Sequence, residues 1–170
     1  MRQFPFISHG KRNSGPNPGH TAEGFDEIQT LAARLKALGY QIECIIAGSG
    51  WRFQQISDML ENFFPNAKTV ATPFLGCSDG LDRIGGENLV ILDNKTENGR
   101  RVRLDTQYLG LVKTPGFDPV KFLTNLPDSP VLCGGREFLL ALGLDDMAKS
   151  GKLYLITIDD DDNVLAEIIE

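Results

Sequence analysis

The chain has 170 residues, 41% of them hydrophobic and 24% charged, which suits one globular domain large enough to bury a proper core. Its formal net charge of -6 argues against a general nucleic-acid or anionic-membrane surface, so an anionic substrate must be held by a local cluster of cations. No stretch approaches the roughly 18 apolar residues of a membrane span, and the opening MRQFPFISHGKR is too weakly apolar for a signal peptide, so a cytoplasmic protein is expected.

Residues 4–8 form a short apolar run that ends at His9-Gly10, which predicts a buried strand stopping at a turn. Residues 11–20 are rich in Gly, Pro and Asn and read as a loop. Thr21 then opens an amphipathic helix whose apolar positions Phe25, Ile28, Leu31, Ala32, Leu35 and Leu38 recur at three and four, with Gly39 closing it. Residues 41–47 predict a second buried strand, Gly48-Ser49-Gly50 a tight turn, and residues 51–64 a helix ended by Pro65. Residues 67–72 predict a third strand. Strands alternating with helices in this way imply a mostly parallel sheet covered on both faces. Ligands bind such sheets at the carboxyl ends of strands, where His9 and the Gly48-Ser49-Gly50 turn both fall.

Residues 73–88 carry glycines at 76, 80, 85 and 86 and read as irregular. Residues 88–93 and 101–105 bracket a polar turn and suggest an antiparallel hairpin. Asp118 as cap and Pro119 at the first position predict a short helix to residue 126. Residues 130–133 predict a fourth core strand, turned by Gly134-Gly135 into a helix over 136–142. Residues 153–158 and 164–169 read as a closing hairpin around an acidic turn, which lacks the spacing of an EF-hand loop. Cys44, Cys77 and Cys133 lack metal-type spacing and read as small buried hydrophobes. With no repeat or linker, residues 1–170 are expected to form a single domain.

Ser8-His9-Gly10 after the first strand resembles the Arg-His-Gly signature of the histidine phosphatase superfamily, the phosphoglycerate mutase-like proteins. The order of later motifs strengthens the likeness. His20-Thr21-Ala22-Glu23-Gly24 resembles the family's Leu-Thr-x-x-Gly helix start, and Arg52-Phe53-Gln54-Gln55 resembles its Arg-Ala-x-Gln. Residues 131–142 resemble the late strand, turn and helix that carry a second histidine. The resemblance implies an α/β fold: a three-layer α/β/α sandwich with a mostly parallel central sheet. It covers nearly the whole chain, with residues 73–128 the least matched.

Carried over residue by residue, the resemblance makes His9 the phosphoryl acceptor and Arg52 one of two arginines that grip the phosphoryl oxygens. It also implies two losses, since Ser8 stands at the first arginine and Gly134 at the second histidine; Gly48 replaces a serine as well. The chain has only two histidines, and His20 falls on a leucine position, so it reads as a helix-start surface residue. Asp79, Asp82 and Glu87 are the choices for the general acid. Lys11 and Arg12, just past His9, and Arg136, just past Gly134, are candidate replacement cations. Substrate contacts are thus expected from Gly10, Lys11, Arg12, Gly134 and Arg136, with no metal and no cofactor. Arg52 near a helix start sits against the dipole, which favours anion gripping over an idle surface charge.

Such a reaction needs a neutral imidazole in line with phosphorus and dense cations around its oxygens. Removing one preorganised donor typically costs roughly 100- to 1000-fold in rate. Two functions follow. One is a hydrolase that passes a phosphoryl group from a phosphomonoester or phosphohistidine to His9 and then to water, its partner a phosphorylated small molecule or a phosphoprotein. The other is a non-catalytic pseudophosphatase that binds a phosphorylated or anionic ligand, or a protein partner. A nucleotide-binding module has little support, since neither glycine turn extends to a P-loop or G-x-G-x-x-G. A mutase would need the most complete pocket.

Overall fold

The structure, a computed structural model, describes residues 1–14, 18–76, 118–144, 146 and 148–169, with the backbone of 95–97 and 100–102. In chain order the elements are β1 (Arg2–Ser8), α1 (Ala22–Ala37), β2 (Cys44–Gly48), α2 (Trp51–Phe63) and β3 (Lys68–Thr72). A 3-10 turn follows at Pro73–Leu75, then β4 (Lys95–Glu97), β5 (Arg100–Val102), α3 (Pro119–Thr124), β6 (Pro130–Gly134), α4 (Arg136–Ala141), β7 (Leu153–Ile158) and β8 (Val164–Ile168). Six strands form one sheet in the order β3-β2-β6-β1-β7-β8. The first four run parallel, and the β7–β8 hairpin adds antiparallel to β1. The alternating strand and helix pattern thus gives the mostly parallel sheet it implies.

Side chains alternate across the sheet with the period of two that strands impose. Phe4 and Phe6 of β1, Cys44 and Ile46 of β2 and Leu132 of β6 enter one core, beside Phe122 and Leu123 of α3 and Phe138 and Leu139 of α4. Ile7, Ile45, Ala47, Val131 and Cys133 enter the opposite core, under Ile28, Ala32 and Leu35 of α1 and Phe53, Ile56 and Leu60 of α2. Helices on both faces make the three layers. Phe6 stacks on Phe138 and meets the edge of Tyr154, each at 6.0 Å between ring centroids. Burying a side chain of that size contributes about 1.5–3 kcal/mol.

The caps follow local chemistry. Thr21 accepts from the Gly24 amide at 3.0 Å to begin α1, and Gly39, at φ +81°, ends it. The Asp118 carboxylate accepts from the Val120 and Lys121 amides at 3.0 and 3.1 Å, with Pro119 at the first position of α3. Asp159 folds the acidic turn on itself, accepting from the Asp161 and Asn163 amides and the Asn163 side chain. That side-chain bond, together with the backbone donors, holds the Asp159 carboxyl below its ordinary range. The turn is a self-satisfied loop.

Two elements differ from expectation. β2 begins at Cys44 rather than 41, because the preceding Glu43 amide is already bonded to Ser129 just ahead of β6. The expected hairpin pairs Lys95 with Val102, Thr96 with Arg101 and Glu97 with Arg100, so its first strand falls in the segment read as the turn and its second meets the start of the strand expected at 101–105. The strand expected at 88–93 and the rest of the one expected at 101–105 lie outside the described residues. Among the described residues no helix is long and apolar enough to cross a membrane.

Candidate active site

β1, β2 and β6 present their carboxyl ends side by side. Ser8 pairs with Gly134 across the β1–β6 ladder, which brings His9 beside the Gly134-Gly135 turn. On the far side of β6, β2 ends in Gly48 and leads into α2, whose second residue is Arg52. A cleft of about 230 Å³ opens there, lined by His9, Arg12, Arg52, Gly135, Arg136, Glu137 and Ser150. Four of the residues singled out in the sequence therefore share one wall: His9, Arg12, Arg52 and Arg136. Three arginines about one histidine form the local cation cluster that a chain of net charge -6 requires for an anion.

His9 is half-buried and its orientation is fixed. Its Nδ1 lies 2.8 Å from the Gly10 carbonyl oxygen. A carbonyl only accepts, so Nδ1 carries a proton in this contact, and a neutral ring held this way has its lone pair on Nε2. The Gly151 amide donates to the His9 carbonyl at 2.7 Å, and the edge of the ring meets Phe53 at 6.0 Å between centroids. Arg52 is buried, with its guanidinium carbon 4.3 Å from the centre of the Phe53 ring. Phe53 thus packs against both the imidazole and the guanidinium. Two neighbouring glutamines order the backbone around them. Gln54 donates to the Gly48 carbonyl at 2.7 Å, and Gln55 accepts from the His20 amide at 2.8 Å.

The other sequence candidates lie elsewhere. Gly10 does not line the cleft; its carbonyl holds His9, and a Cβ there would meet the Gly24 carbonyl oxygen at 2.7 Å. Lys11 turns outward to pair with Glu23 at 3.0 Å, because its carbonyl and amide are tied to α1 through Thr21 and Glu27. Ser8 is fully buried and exchanges hydrogen bonds with the Lys152 backbone, so it holds the segment that carries Ser150 and adds nothing cationic. Cys133 is fully buried, and burial pushes its thiol well up, which makes it core. Asp79, Asp82 and Glu87 lie outside the described residues.

Gly134 is tightly enclosed. A Cβ there would sit 2.8 Å from the Leu75 carbonyl oxygen and 2.9 Å from the Phe6 ring. The same Leu75 oxygen accepts from the Gly135 amide at 2.8 Å, so it cannot easily withdraw. The 3-10 turn after β3 occupies the space that a side chain at position 134 would take. Gly134→His is therefore expected to lower stability by about 1–3 kcal/mol or more, through overpacking, without raising any phosphatase rate. Chemical denaturation and a rate assay on the same sample check both halves.

Three residues went unrecognised in the sequence. Glu137 and Ser150 line the cleft, Glu137 one residue past Arg136 and Ser150 ahead of β7. His20, read as a surface residue, is buried at 4% exposure. The 11–20 loop folds back so that Arg12 bridges His20, and the ring lies under Phe25 and beside His9. Burial, the largest cause, holds His20 down at about 4, against a partial opposing effect of its bond to Gln55. It is neutral at pH 7.

Comparison with known proteins bears on the fold. No protein-family model matches the sequence, and no curated protein matches it. Solved structures do. The protein histidine phosphatase SixA complexed with tungstate is similar at a TM-score of 0.55 and 15% identity, over 98% of this chain and 94% of that one. The alpha-ribazole phosphatase from Shigella flexneri is similar at 0.60 and 12% identity, over 99% and 96%. Phosphoglycerate mutase from Plasmodium falciparum is similar at 0.50 and 17% identity, over 99% and 88%. The chain has the α/β fold of these phosphatases and of phosphoglycerate mutase.

Proposed function

We propose that the protein is a phosphatase that transfers a phosphoryl group from a phosphomonoester or phosphohistidine to His9 and then to water. The observation that carries this reading is the convergence of the Nδ1-protonated His9 with Arg12, Arg52 and Arg136 on one cleft. In the first step the Nε2 lone pair attacks phosphorus and the bond to the leaving oxygen breaks. Glu137, on the same wall, supplies that oxygen's proton. In the second step water attacks the phosphorylated imidazole, gives its proton to the Glu137 carboxylate and releases phosphate. The three guanidinium groups oppose the charge on the phosphoryl oxygens throughout, which is the main task of a phosphoryl-transfer site. Arg12 and Arg136 stand in for the cations lost at positions 8 and 134.

The filled space beside Gly134 favours a second reading, a cleft that binds a phosphorylated ligand or phosphoprotein without turnover. Hydrolysis of an aryl phosphate, measured with tungstate binding, separates the two. The hydrolase reading expects turnover inhibited competitively by tungstate. Tungstate binding without hydrolysis above background would replace it with the binding reading, and neither would remove both.

A further inference from the structure

We propose that His20 is a positioning residue for His9, acting through Gly10. The inference depends on the proposed phosphatase reading only for its effect on rate; the hydrogen-bond relay stands on its own distances.

The relay begins at Gln55, whose side-chain oxygen accepts from the His20 amide at 2.8 Å and meets His20 Nδ1 at 3.0 Å. An amide oxygen only accepts, so Nδ1 of His20 carries the ring proton and Nε2 carries the lone pair. That Nε2 accepts from the Gly10 amide at 3.0 Å. The Gly10 carbonyl in turn accepts from His9 Nδ1 at 2.8 Å. Each partner is in the single protonation state that the next one needs. The Gly10 amide belongs to the His9–Gly10 peptide and its carbonyl to the Gly10–Lys11 peptide, so only glycine's own two torsions separate the group that His20 holds from the group that holds His9. Gly24 packs against it from the other side, and the Lys11 amide beyond it is bonded to Glu27 at 3.1 Å. In water a neutral histidine ring favours the Nε2–H form, which would bury the lone pair that has to attack phosphorus. The Gly10 carbonyl imposes the opposite tautomer, and His20 anchors the amide end of the residue that carries it. Partners one shell away from a reacting histidine commonly matter by about 10- to 100-fold.

The chain has only two histidines, so nitrogen-15 NMR resolves both rings without ambiguity. The test compares wild type, His20→Leu, His20→Gln and Gln55→Leu at neutral pH, with aryl phosphate kinetics on the same samples. Wild type is expected to hold His9 as Nδ1–H. His20→Leu, which keeps apolar volume and removes the acceptor, is expected to release His9 toward Nε2–H. It should also lower kcat by about 10- to 100-fold while KM stays within about twofold. His20→Gln offers an amide oxygen to the Gly10 amide and should restore the tautomer and most of kcat. Should His20→Leu fail to fold, Gln55→Leu tests the same relay, since it removes the acceptor that sets the His20 tautomer. An Nε2–H form of His9 in wild type, or an unaltered Nδ1–H form in the Leu variants, overturns the proposal. Loss of the tautomer in His20→Leu with no hydrolysis by any protein would uphold the relay and overturn the phosphatase reading alone.

Discussion

Replacing His9 with alanine is expected to reduce aryl phosphate hydrolysis at least about 1000-fold, to the background rate. The size of the effect follows from the lack of a substitute among the described residues. His20 lies 6.4 Å away between ring centroids, but its ring nitrogens are engaged by Gln55 and the Gly10 amide, and it is buried. Cys133 is a fully buried thiol. Ser150 is the remaining nucleophile on the cleft wall, so Ser150→Ala belongs in the same assay. Activity that survived in His9→Ala and vanished in Ser150→Ala would move the acceptor to Ser150. Circular dichroism on the His9 variant checks that a folded protein is being assayed.

Arg52→Ala is expected to lower kcat/KM by about 100- to 1000-fold and to weaken tungstate binding. Arg52 lies in the first turn of α2, where the helix dipole disfavours a cation, and it is buried there. In the proposed phosphatase, an anion held in the cleft would offset that cost. Arg52→Lys preserves the charge but loses the planar fork and its stacking on Phe53, so it should recover only part of the loss. Because Phe53 also touches His9, the alanine variant is expected to affect kcat as well as KM. A loss confined to KM would mean that Arg52 binds the ground state and the reacting phosphoryl group equally.

Most of the scaffold could be read from the chain because its signals are local. The strand at 130–134 and the caps at Thr21 and Asp118 depend on neighbours within a few residues. His9 and Arg52 were legible through motif order, since strand ends and helix starts of a parallel sheet converge wherever adjacent strands finish. The rest depended on contacts distant in sequence. Nothing in KRNSGPNPGH indicates that the loop doubles back to bury His20, or that Lys11 leaves for Glu23 while Arg12 faces the cleft. Ser150 reaches the site because Lys152 is anchored on Ser8, 144 residues away along the chain. At Gly134 the glycine was visible in the sequence, but the Leu75 carbonyl and Phe6 ring that crowd the position were not.

The proposed phosphatase requires His9 to accept a phosphoryl group. The most direct measurement is a rapid quench of the wild-type protein with a phosphate donor, followed by phosphorus NMR and mass spectrometry of the intact chain and its peptides. One acid-labile phosphoryl group is expected on the His9 imidazole, bonded at Nε2 and absent from His9→Ala. A phosphoryl group found on Ser150, or turnover with no phosphorylated protein at any quench time, would contradict it.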